Sequence, residues 1–581
     1  LANFLIEMEK EQKLDEFINF FCSIRDKFIL INEDLKKENS KYIPKCQNNS
    51  LTNSMIGGSK PENNLIKDDN VLEIIRKYLN VREEEKKLFG EVFTPIELVC
   101  EMLDKLPSNV WKDPKLKWLD PANGIGNYPI VVYYKLMESL KDVKGYENKG
   151  KRSKHIIEKM LFMVELNPVN VRVCKKIFKM IDSDTEPNIF NKDFLIWSAN
   201  EEVKGNKYDI IMGNPPYNQG GIRSKKGDKE GIKTIWTLFI EESIKILNKN
   251  KYLVFITPNT WTELVSPISK KMLNIQIDTI KSYKVFESHK IFGGKSGEIP
   301  LSYYLLKNSN TKNNTKIWDS NHNKFIEFNV YKNLFIPNFN VSIFKKVIQK
   351  SKNNNLNNYY INTQSKSKEL NNVAFSNVNK YPLLNYTNHK INISYSSLCY
   401  NGHNRTPKLV LSNFSMGYPI LDKFGIVDAR ANMCFLIQLP DNNLIKLKKI
   451  QQLLLNDITF LLINSLKTKQ KFLSNRIFQI LPDVSKIDFE INDKNLIEYL
   501  GLDEKDIEAI VKQKTSGEGN LTEKQKKEII NFDINKYLTK QQIETIKESI
   551  EKECKQKKSI KTKKKVVKKS ITKKKTPNNK N

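Results

Sequence analysis

Short apolar stretches alternate with longer amphipathic ones between about Lys86 and Asn308. The short stretches are typical of buried strands, whereas the longer ones repeat apolar residues at helical spacing. The candidate strands are Lys117–Leu119, Leu161–Val164, Asp209–Met212, Tyr252–Ile256 and Tyr303–Leu306, and the candidate helices are Pro95–Leu106, Asn127–Leu140, Pro168–Ile181 and Thr234–Leu247. This alternation predicts an α/β fold with an open, mostly parallel sheet and helices on both faces. Ligands of such sheets bind outside the carboxyl ends of the strands.

The rest of the 581-residue chain is long enough for several further regions. Residues 1–85 have helical periodicity and predict an N-terminal helical region. Beyond Asn308 the alternation stops, and residues 309–500 contain strand-like runs at Lys408–Leu439 and one long predicted helix at Leu444–Leu466. Residues 501–552 predict a C-terminal helical region, and residues 553–581 form a lysine-rich tail. Two helices are predicted at Ile497–Lys514 and Thr522–Lys552.

The net charge is +31, which by itself is compatible with nucleic-acid binding. Only 9 of the 97 basic residues are Arg, however, and Arg is the side chain that contacts phosphates and guanines in a bidentate manner. Lysine excess together with abundant Asn and Ile is also what an AT-rich genome encodes. Cys554–Asn581 holds 13 Lys and no acidic residue, so we expect a disordered tail that binds DNA non-specifically, acts as a localisation signal or is simply solvated.

The seven cysteines are scattered and show no C-x-x-C spacing. This distribution favours reduced thiols in an intracellular protein that is not secreted. The five histidines have no cysteine or carboxylate partner at metal-ligand spacing, so no metal site is expected. No apolar run reaches about 18 residues, so no membrane span is expected.

The strongest chemical signal is Asp209–Tyr217, where an apolar strand runs into Asn214-Pro215-Pro216-Tyr217. Two prolines cannot continue a sheet ladder because they lack N–H donors and have a fixed φ. The strand therefore ends there, with the Asn214 side-chain oxygen beside the Pro215 carbonyl. Two such acceptors can take both hydrogens of an exocyclic amino group, and Tyr217 offers a flat face for stacking a base.

The second signal is Trp118–Asn127, in which a strand is followed by a loop with two glycines and then by a helix. Glycines allow the backbone to approach a ligand closely. The spacing is neither G-x-G-x-x-G nor a P-loop. Glu165 ends the next strand, where a carboxylate can accept hydrogen bonds from ribose hydroxyls. Asp193-Phe194 follows where a third strand should end, and this pair suits an adenine amino group and ring.

Together these segments resemble the amino-methyltransferases that use S-adenosylmethionine, and more narrowly the DNA adenine-N6 methyltransferases of the type II restriction-modification group. The catalytic (D/N/S)-P-P-(Y/F) motif of that family matches Asn214–Tyr217. Its D-P-A-C-G-T-G loop matches Asp120–Gly126, with Asn123 and Ile125 as departures that remove neither a glycine nor the acid. Its G-x-x-[FY]-T-P motif matches Gly90–Pro95.

The resemblance implies a Rossmann-like methyltransferase domain over residues 86–308 and a target-recognition, DNA-binding domain over residues 309–500. It implies that S-adenosylmethionine is the cofactor and double-stranded DNA the substrate, with a cognate restriction endonuclease as a candidate partner. The residues expected to bind the cofactor are Phe93, Thr94, Pro95, Asp120, Ala122, Gly124, Gly126, Glu165, Asp193 and Phe194, and the catalytic residues are Asn214, Pro215, Pro216 and Tyr217.

The implied reaction is direct methyl transfer to an adenine that has been flipped out of the duplex. Asn214 and the Pro215 carbonyl would accept hydrogen bonds from N6 and aim the nitrogen lone pair at the methyl carbon. Weaker expectations concern Thr257–Trp261 as the rim of the base pocket and Ile291–Gly297 as a phosphate-contacting loop. Three basic side chains past Tyr217 could contact the DNA backbone, namely Arg223, Lys225 and Lys226.

Two other enzyme classes and one non-enzymatic class stay open at this point. A combined restriction-modification enzyme would need a P-D…(D/E)-x-K nuclease site, but Pro482-Asp483 is followed by Glu490-Ile491-Asn492, which has Asn in place of Lys. An RNA or protein methyltransferase could share the N-P-P-Y chemistry. A basic nucleic-acid-binding scaffold would explain the tail but would leave the ordered motifs unexplained.

Overall fold

The computed structural model describes residues 94–218, 234–264, 266–292, 300–333, 335–362, 374–387, 390–397, 405–412, 417–429, 434–467, 473–516 and 521–552. The predicted N-terminal helical region, Phe93, the basic residues 223–226 and the lysine-rich tail lie outside this part. The described chain forms two compact units. The first runs up to Trp318 and includes Phe325–Ile336, and the second comprises Asp319–Lys324 and the chain from Pro337 onward.

A mixed sheet forms the centre of the first unit. Its described strands are β1 (Trp118–Asp120), β2 (Leu161–Glu165), β3 (Asn188–Asn191), β4 (Tyr208–Gly213), β5 (Leu247–Pro258), β6 (Gln276–Tyr283), β7 (Leu301–Lys307), β8 (Thr315–Asp319) and β9 (Lys324–Phe328). They lie in the order β3-β2-β1-β4-β5-β7-β6-β8-β9. The pairs from β3 to β5 are parallel, whereas β7 runs antiparallel to both β5 and β6. The predicted open, mostly parallel sheet is therefore confirmed.

Helices cover both faces of this sheet. They are α1 (Ile96–Leu103), α2 (Asn127–Ser139), α3 (Lys149–His155), α4 (Pro168–Ile181), α5 (Phe194–Trp197), α6 (Glu201–Gly205), α7 (Trp236–Ile246), α8 (Pro267–Leu273), α9 (Val285–Ile291) and α10 (Val330–Asn333). Ile210 and Met212 of β4 join a core that α1, α2 and α4 share, whereas Ile211 between them points to the opposite face. All three side chains are fully buried, as expected for a strand covered on both sides.

The first unit matches the sequence expectations in its central elements and departs from them at its edge. Helix α4 has the predicted bounds, because Asn167 caps it through the Val169 N–H and Pro168 occupies its first turn. Strand β6 was not predicted, because polar residues interrupt its apolar positions. The sheet continues beyond the expected boundary at Asn308, since β8 and β9 belong to it.

The second unit contains two smaller sheets and several helices. Its strands are β10 (Tyr360–Asn362), β11 (Tyr381–Thr387), β12 (Lys390–Ser396), β13 (Lys408–Ser412), β14 (Ile420–Asp422), β15 (Asp428–Ala429) and β16 (Cys434–Ile437). Its helices are α11 (Val341–Ser351), α12 (Leu444–Leu454), α13 (Asp457–Leu466), α14 (Ile477–Ile480), α15 (Asp493–Leu500), α16 (Glu504–Ser516), α17 (Glu523–Ile530) and α18 (540–552). Strands β10, β16, β13 and β14 form one sheet, and β12, β11 and β15 form the other.

The long helices predicted in the second unit are each interrupted. Leu444–Leu466 divides into α12 and α13, because the Asn456 side chain accepts the Ile458 N–H and starts a new helix. Ile497–Lys514 divides at Gly501, which adopts a left-handed conformation with φ of 65°. Thr522–Lys552 likewise divides after α17. In the part of the chain that the structure describes, no helix combines the length and the apolar character needed to cross a membrane.

Candidate active site

Asp120 ends β1 at the carboxyl edge of the sheet, next to β4. Its side chain is buried, and Oδ1 accepts the Ala122 N–H at 3.0 Å. Oδ2 is buried and accepts no hydrogen bond from the described residues. Burial raises the pKa of Asp120 well above its ordinary value, and the nearby Glu165 carboxylate raises it further. The structure therefore presents an unused acceptor at this strand end.

The loop after Asp120 is shaped by its two glycines and by Glu165. The Gly124 N–H donates to Glu165 Oε2 at 2.7 Å. Gly126 has a φ of 104°, and a Cβ atom there would lie 2.8 Å from Cys174 Sγ. Only glycine therefore fits without displacing its neighbours. The Asn123 amide donates to the Gly124 carbonyl at 3.0 Å and contacts Cys174 Sγ at 3.3 Å.

Glu165 is buried at the end of β2 and braces two segments. In addition to the Gly124 N–H, its carboxylate accepts the Asn167 N–H. The acceptor is Oε1, at a distance of 2.7 Å. Glu165 therefore shapes the loop after Asp120, in addition to the role at ribose hydroxyls that the sequence predicts for it. Each carboxylate oxygen can accept more than one hydrogen bond, so these contacts leave acceptor capacity.

Thr94 and Pro95 lie beside the same loop. Pro95 directly precedes α1, and the buried Thr94 carbonyl accepts the Asn127 amide at 2.8 Å. Asn127 Oδ1 is buried and accepts no hydrogen bond from the described residues. The structure thus brings the predicted Thr94-Pro95 and Asp120–Gly126 segments together through Asn127, a residue that the sequence analysis missed.

The Asn214–Tyr217 segment leaves the sheet at the end of β4, which pairs with β1. Gly213 approaches Asp120 so closely that a Cβ atom on Gly213 would lie 2.9 Å from Asp120 Oδ1. Pro215 is buried, whereas Asn214, Pro216 and Tyr217 are half-buried. The two strongest sequence motifs therefore meet at the point where the strand order reverses, which is where open α/β sheets bind their ligands.

Tyr217 packs its ring against the core that α1 and α2 share. Burial raises the pKa of its phenol, so the hydroxyl is neutral at physiological pH. Its carbonyl accepts the Ile235 N–H at 3.1 Å, and the next residue, Asn218, pairs with Thr234 in an antiparallel bridge. The chain on both sides of residues 219–233 is therefore held together just beyond the Asn214–Tyr217 segment.

Asp193 and Phe194 follow β3, which ends two residues earlier than the sequence suggested. Asp193 Oδ1 accepts the Leu195 N–H at 2.9 Å and caps the short helix α5. Phe194 is buried and stacks on Phe239 with ring centroids 5.0 Å apart. Both residues lie near the end of β2, because the Lys192 N–H donates to the Glu165 carbonyl at 3.1 Å.

Two exposed apolar side chains at this edge were missed by the sequence analysis. Leu166 directly follows Glu165 and is 58% exposed, and Ile196 lies in α5 and is 74% exposed. The sequence did contain a signal for Leu166. It is an apolar residue immediately after the acid that ends a strand, at a position where a loop exposed to water usually has a polar residue.

The weaker expectations had different outcomes. Trp261 is buried, donates to Ser302 Oγ at 2.9 Å and packs edge-on against Tyr304, so it lies in the interior and not on a pocket rim.

Of Ile291–Gly297, the structure describes only the first two residues. Asp483, the acid of the alternative nuclease site, is buried and accepts hydrogen bonds from the Tyr359 hydroxyl and the Ser485 N–H.

Comparison with known proteins shows that part of the chain matches a described protein family. Residues 120–292, which contain every predicted site residue except those before β1, match the family described as Eco57I restriction-modification methylase. This part of the chain is an Eco57I-type restriction-modification methylase domain. The resemblance inferred from the motifs is thereby confirmed.

The chain is also similar to individual proteins. An uncharacterized adenine-specific methylase of Mycoplasma pneumoniae is 26% identical, over 44% of this chain and 78% of that relative. The modification methylase CviBIII of Paramecium bursaria Chlorella virus NC1A is also 26% identical, over 36% of this chain and 47% of its own length. The solved type IIL restriction-modification enzyme MmeI in complex with DNA is 11% identical, covers 84% of this chain and 78% of its own, and has a TM-score of 0.39.

Proposed function

We propose that this chain transfers a methyl group from S-adenosylmethionine to the N6 amino group of adenine in double-stranded DNA. The observation that carries the proposal is the close approach of Gly213 to Asp120, within a methylase domain. It brings the acceptors of Asn214 and Pro215 next to the loop expected to hold the cofactor. A methyl donor and an amino acceptor would therefore bind on neighbouring strand ends.

The residues around Asp120 fit the cofactor. S-adenosylmethionine supplies an electrophilic methyl group on a sulfonium, and its methionine end carries an ammonium. Asp120 Oδ2 and Asn127 Oδ1 are buried acceptors without a hydrogen bond from the described residues, which suits a cationic ligand. Gly126 keeps the loop free of a side chain, so that backbone and ligand can approach closely.

Farther along the same edge the residues fit a nucleoside. Glu165 would accept hydrogen bonds from ribose hydroxyls, because each carboxylate oxygen can accept more than one. The exposed side chains of Leu166 and Ile196 offer apolar contact to the faces of an adenine ring. Asp193 would accept from the ring's amino group with the oxygen that does not cap α5. Phe194 supports this segment from the interior through its contact with Phe239.

Asn214 and Pro215 would handle the substrate amino group. The Asn214 side-chain oxygen and the Pro215 carbonyl accept its two hydrogens, which turns the nitrogen lone pair out of conjugation with the ring. Pro216 fixes the loop so that both acceptors stay in place, and Tyr217 stacks on the base. The base must leave the duplex first, at a cost of about a few kcal/mol. The rate gain would come from positioning and from preset dipoles.

The same proposal extends to the rest of the chain. Residues 309–500 would recognise the DNA target. A cognate restriction endonuclease would act on the same DNA site, and both proteins would work inside the cell.

A direct assay tests this function. Purified protein is incubated with unmethylated DNA and S-adenosylmethionine that carries a labelled methyl group, and the DNA is digested to nucleosides. We expect the label in N6-methyladenine, and sequencing of genomic DNA from a methylation-free host that expresses the chain should locate it in one sequence context. Label in RNA or protein, with none in DNA, would refute the proposal.

A further inference from the structure

Three side chains of the second unit converge at a place remote in sequence from the methylase motifs. His322 lies in the turn after β8, and Asp503 and Asp506 lie at the start of α16. His322 Nε2 is 3.2 Å from Asp503 Oδ1 and 3.9 Å from Asp506 Oδ1. One potential ligand atom from each residue lies within 4.8 Å of the other two.

A fourth residue sets the direction of the imidazole. Asp319 is fully buried, and its Oδ1 lies 3.4 Å from His322 Nδ1. Asp319 is itself fixed, because its Oδ2 accepts the Ser342 N–H at 2.8 Å at the start of α11. An imidazole that donates its Nδ1 proton to a carboxylate presents a basic Nε2, and this arrangement is typical of metal-binding histidines.

The carboxylates at this site carry more negative charge than their lysine neutralises. Lys346 Nζ contacts Asp503 Oδ2 at 2.8 Å and Asp506 Oδ2 at 2.5 Å, so the ammonium occupies the oxygens on one side. Asp506 is fully buried, yet its Oδ1, on the side of His322, accepts no hydrogen bond from the described residues. A buried carboxylate oxygen without a partner is costly, and a cation at this point would remove that cost.

We propose that His322 Nε2, Asp503 Oδ1 and Asp506 Oδ1 bind a divalent transition-metal ion of the zinc type. Ligand atoms at about 2.0–2.1 Å from a tetrahedral zinc ion are roughly 3.3 Å apart. The 3.2 Å separation matches this spacing. The 3.9 Å separation and the separation between the two carboxylates, which is at most 4.8 Å, would shorten when the ion binds. One imidazole with two carboxylates favours such an ion over magnesium or calcium, which prefer all-oxygen sites.

The bound ion would stabilise the second unit. It would join the turn Asp319–Lys324 to the start of α16, and a water molecule would complete its coordination from the side of Asp503, whose side chain is 49% exposed. This site was not predictable from spacing along the chain, because His322 and Asp503 are 181 residues apart.

The test measures zinc binding by the full chain. Protein stripped with a chelator is titrated with ZnCl₂ by calorimetry, in parallel with His322→Gln, Asp506→Asn and the control His155→Gln. His155 is a half-buried histidine whose Nε2 contacts the Pro114 carbonyl instead. We expect one zinc ion per chain in the wild type and the control, at least tenfold weaker binding in the other two variants, and a zinc-dependent rise in the thermal unfolding midpoint only where zinc binds.

X-ray absorption of the zinc-loaded wild type keeps the proposal testable if the variants do not fold. We expect nitrogen and oxygen ligands at about 2.0–2.1 Å, whereas adventitious cysteine binding would give sulfur at about 2.3 Å. Equal zinc affinity in the wild type and His322→Gln, a sulfur shell, or a wild-type midpoint unchanged by zinc would each overturn it. The last result would indicate that His322 serves only as a hydrogen-bonded partner of the carboxylates.

Discussion

Gly213 at the end of β4 leaves so little space beside Asp120 at the end of β1 that a Cβ atom would lie 2.9 Å from Asp120 Oδ1. The two residues are 93 positions apart in the sequence. Their contact connects the loop that we expect to bind the cofactor with the motif that we expect to bind the adenine. A substitution at the end of one strand should therefore displace atoms at the end of the other.

Gly213→Ala should weaken S-adenosylmethionine binding about tenfold or more. The added methyl group must displace either the Asp120 carboxyl or the strand end, and Gly213 has a φ of 155°, which side chains rarely adopt. Calorimetric titration with the cofactor measures the effect. Gly205→Ala is a suitable control, because a Cβ atom there meets nothing within 4 Å. Equal affinities for wild type and Gly213→Ala would contradict the tight approach.

Substitutions of Asn214 separate catalysis from cofactor binding. Asn214→Ala should lower the rate constant of methyl transfer by about 10²–10³, the cost typical of removing one positioned polar group from an active site. Asn214→Asp keeps an acceptor oxygen and should retain more activity. Single-turnover rates with labelled cofactor measure both variants. Full activity in Asn214→Ala would show that the catalytic assignment is wrong, whereas a loss of cofactor affinity would assign Asn214 to the other site.

Cofactor affinity should depend on pH through Asp120. Burial raises the pKa of this carboxyl in the free protein, whereas a cationic ligand favours its ionised form. Binding therefore releases a proton, and affinity should rise with pH, by at most about tenfold per unit, until the pH exceeds the pKa of the free protein. Calorimetry in buffers of different ionisation enthalpy counts the proton. Asp120→Asn should abolish this pH dependence, and its persistence there would exclude Asp120 as the source.

The second unit contains a fully buried ion pair whose halves should be strongly coupled. Lys408 Nζ lies 2.7 Å from Asp422 Oδ2, which also accepts the Val427 N–H. Lys408→Met should lower the free energy of unfolding by about 3–5 kcal/mol, because it leaves a buried carboxylate uncompensated. Adding Asp422→Asn should recover part of this loss. Urea denaturation followed by circular dichroism measures the free energy of unfolding, and Lys423→Met, at an exposed lysine, is the control. Additive effects of Lys408→Met and Asp422→Asn would contradict the coupling.

The lysine-rich tail should affect DNA affinity but not the choice of site. Replacing Cys554–Asn581 with an uncharged segment of equal length removes 13 positive charges. Non-specific affinity and its salt dependence should both fall, since each phosphate contact contributes about 0.9 to the salt slope. Binding titrations at several salt concentrations measure the slope, and sequencing reads out the methylated site. A new methylation site in this variant would assign sequence recognition to the tail.

Much of the central fold was predictable because β1, β2, β4 and β5 and the helices α2, α4 and α7 each have their own local pattern. Of strand β3 only the approximate end was predicted, and the short helices α3, α5 and α6 were not predicted. Pro168–Ile181 was predicted to the residue, since its apolar periodicity, its Asn cap and its proline agree. The division of Leu444–Leu466 was not predictable from periodicity. The apolar spacing continues across the break, and the decisive contact is the Asn456 side chain with the Ile458 N–H.

The candidate site was predictable in its strand ends and less so in the contacts between them. Asp120, Glu165 and Asn214 could be placed at one edge because parallel strands share that edge. The sequence did not reveal that Glu165 braces Gly124 or that Asn127 holds Thr94, because both contacts join separate segments. Leu166 was overlooked because its apolar position after a strand-terminal acid does not by itself show that the side chain is exposed.

The bridge between Asn218 and Thr234 has a consequence for how such enzymes diverge. Because the chain leaves and returns at one point, residues can be gained or lost between these positions without moving Asn214. Doubling the number of residues between two fixed chain ends costs only about 0.6 kcal/mol of closure entropy. New contacts to DNA could therefore be acquired there by insertion, while the reaction itself is inherited unchanged.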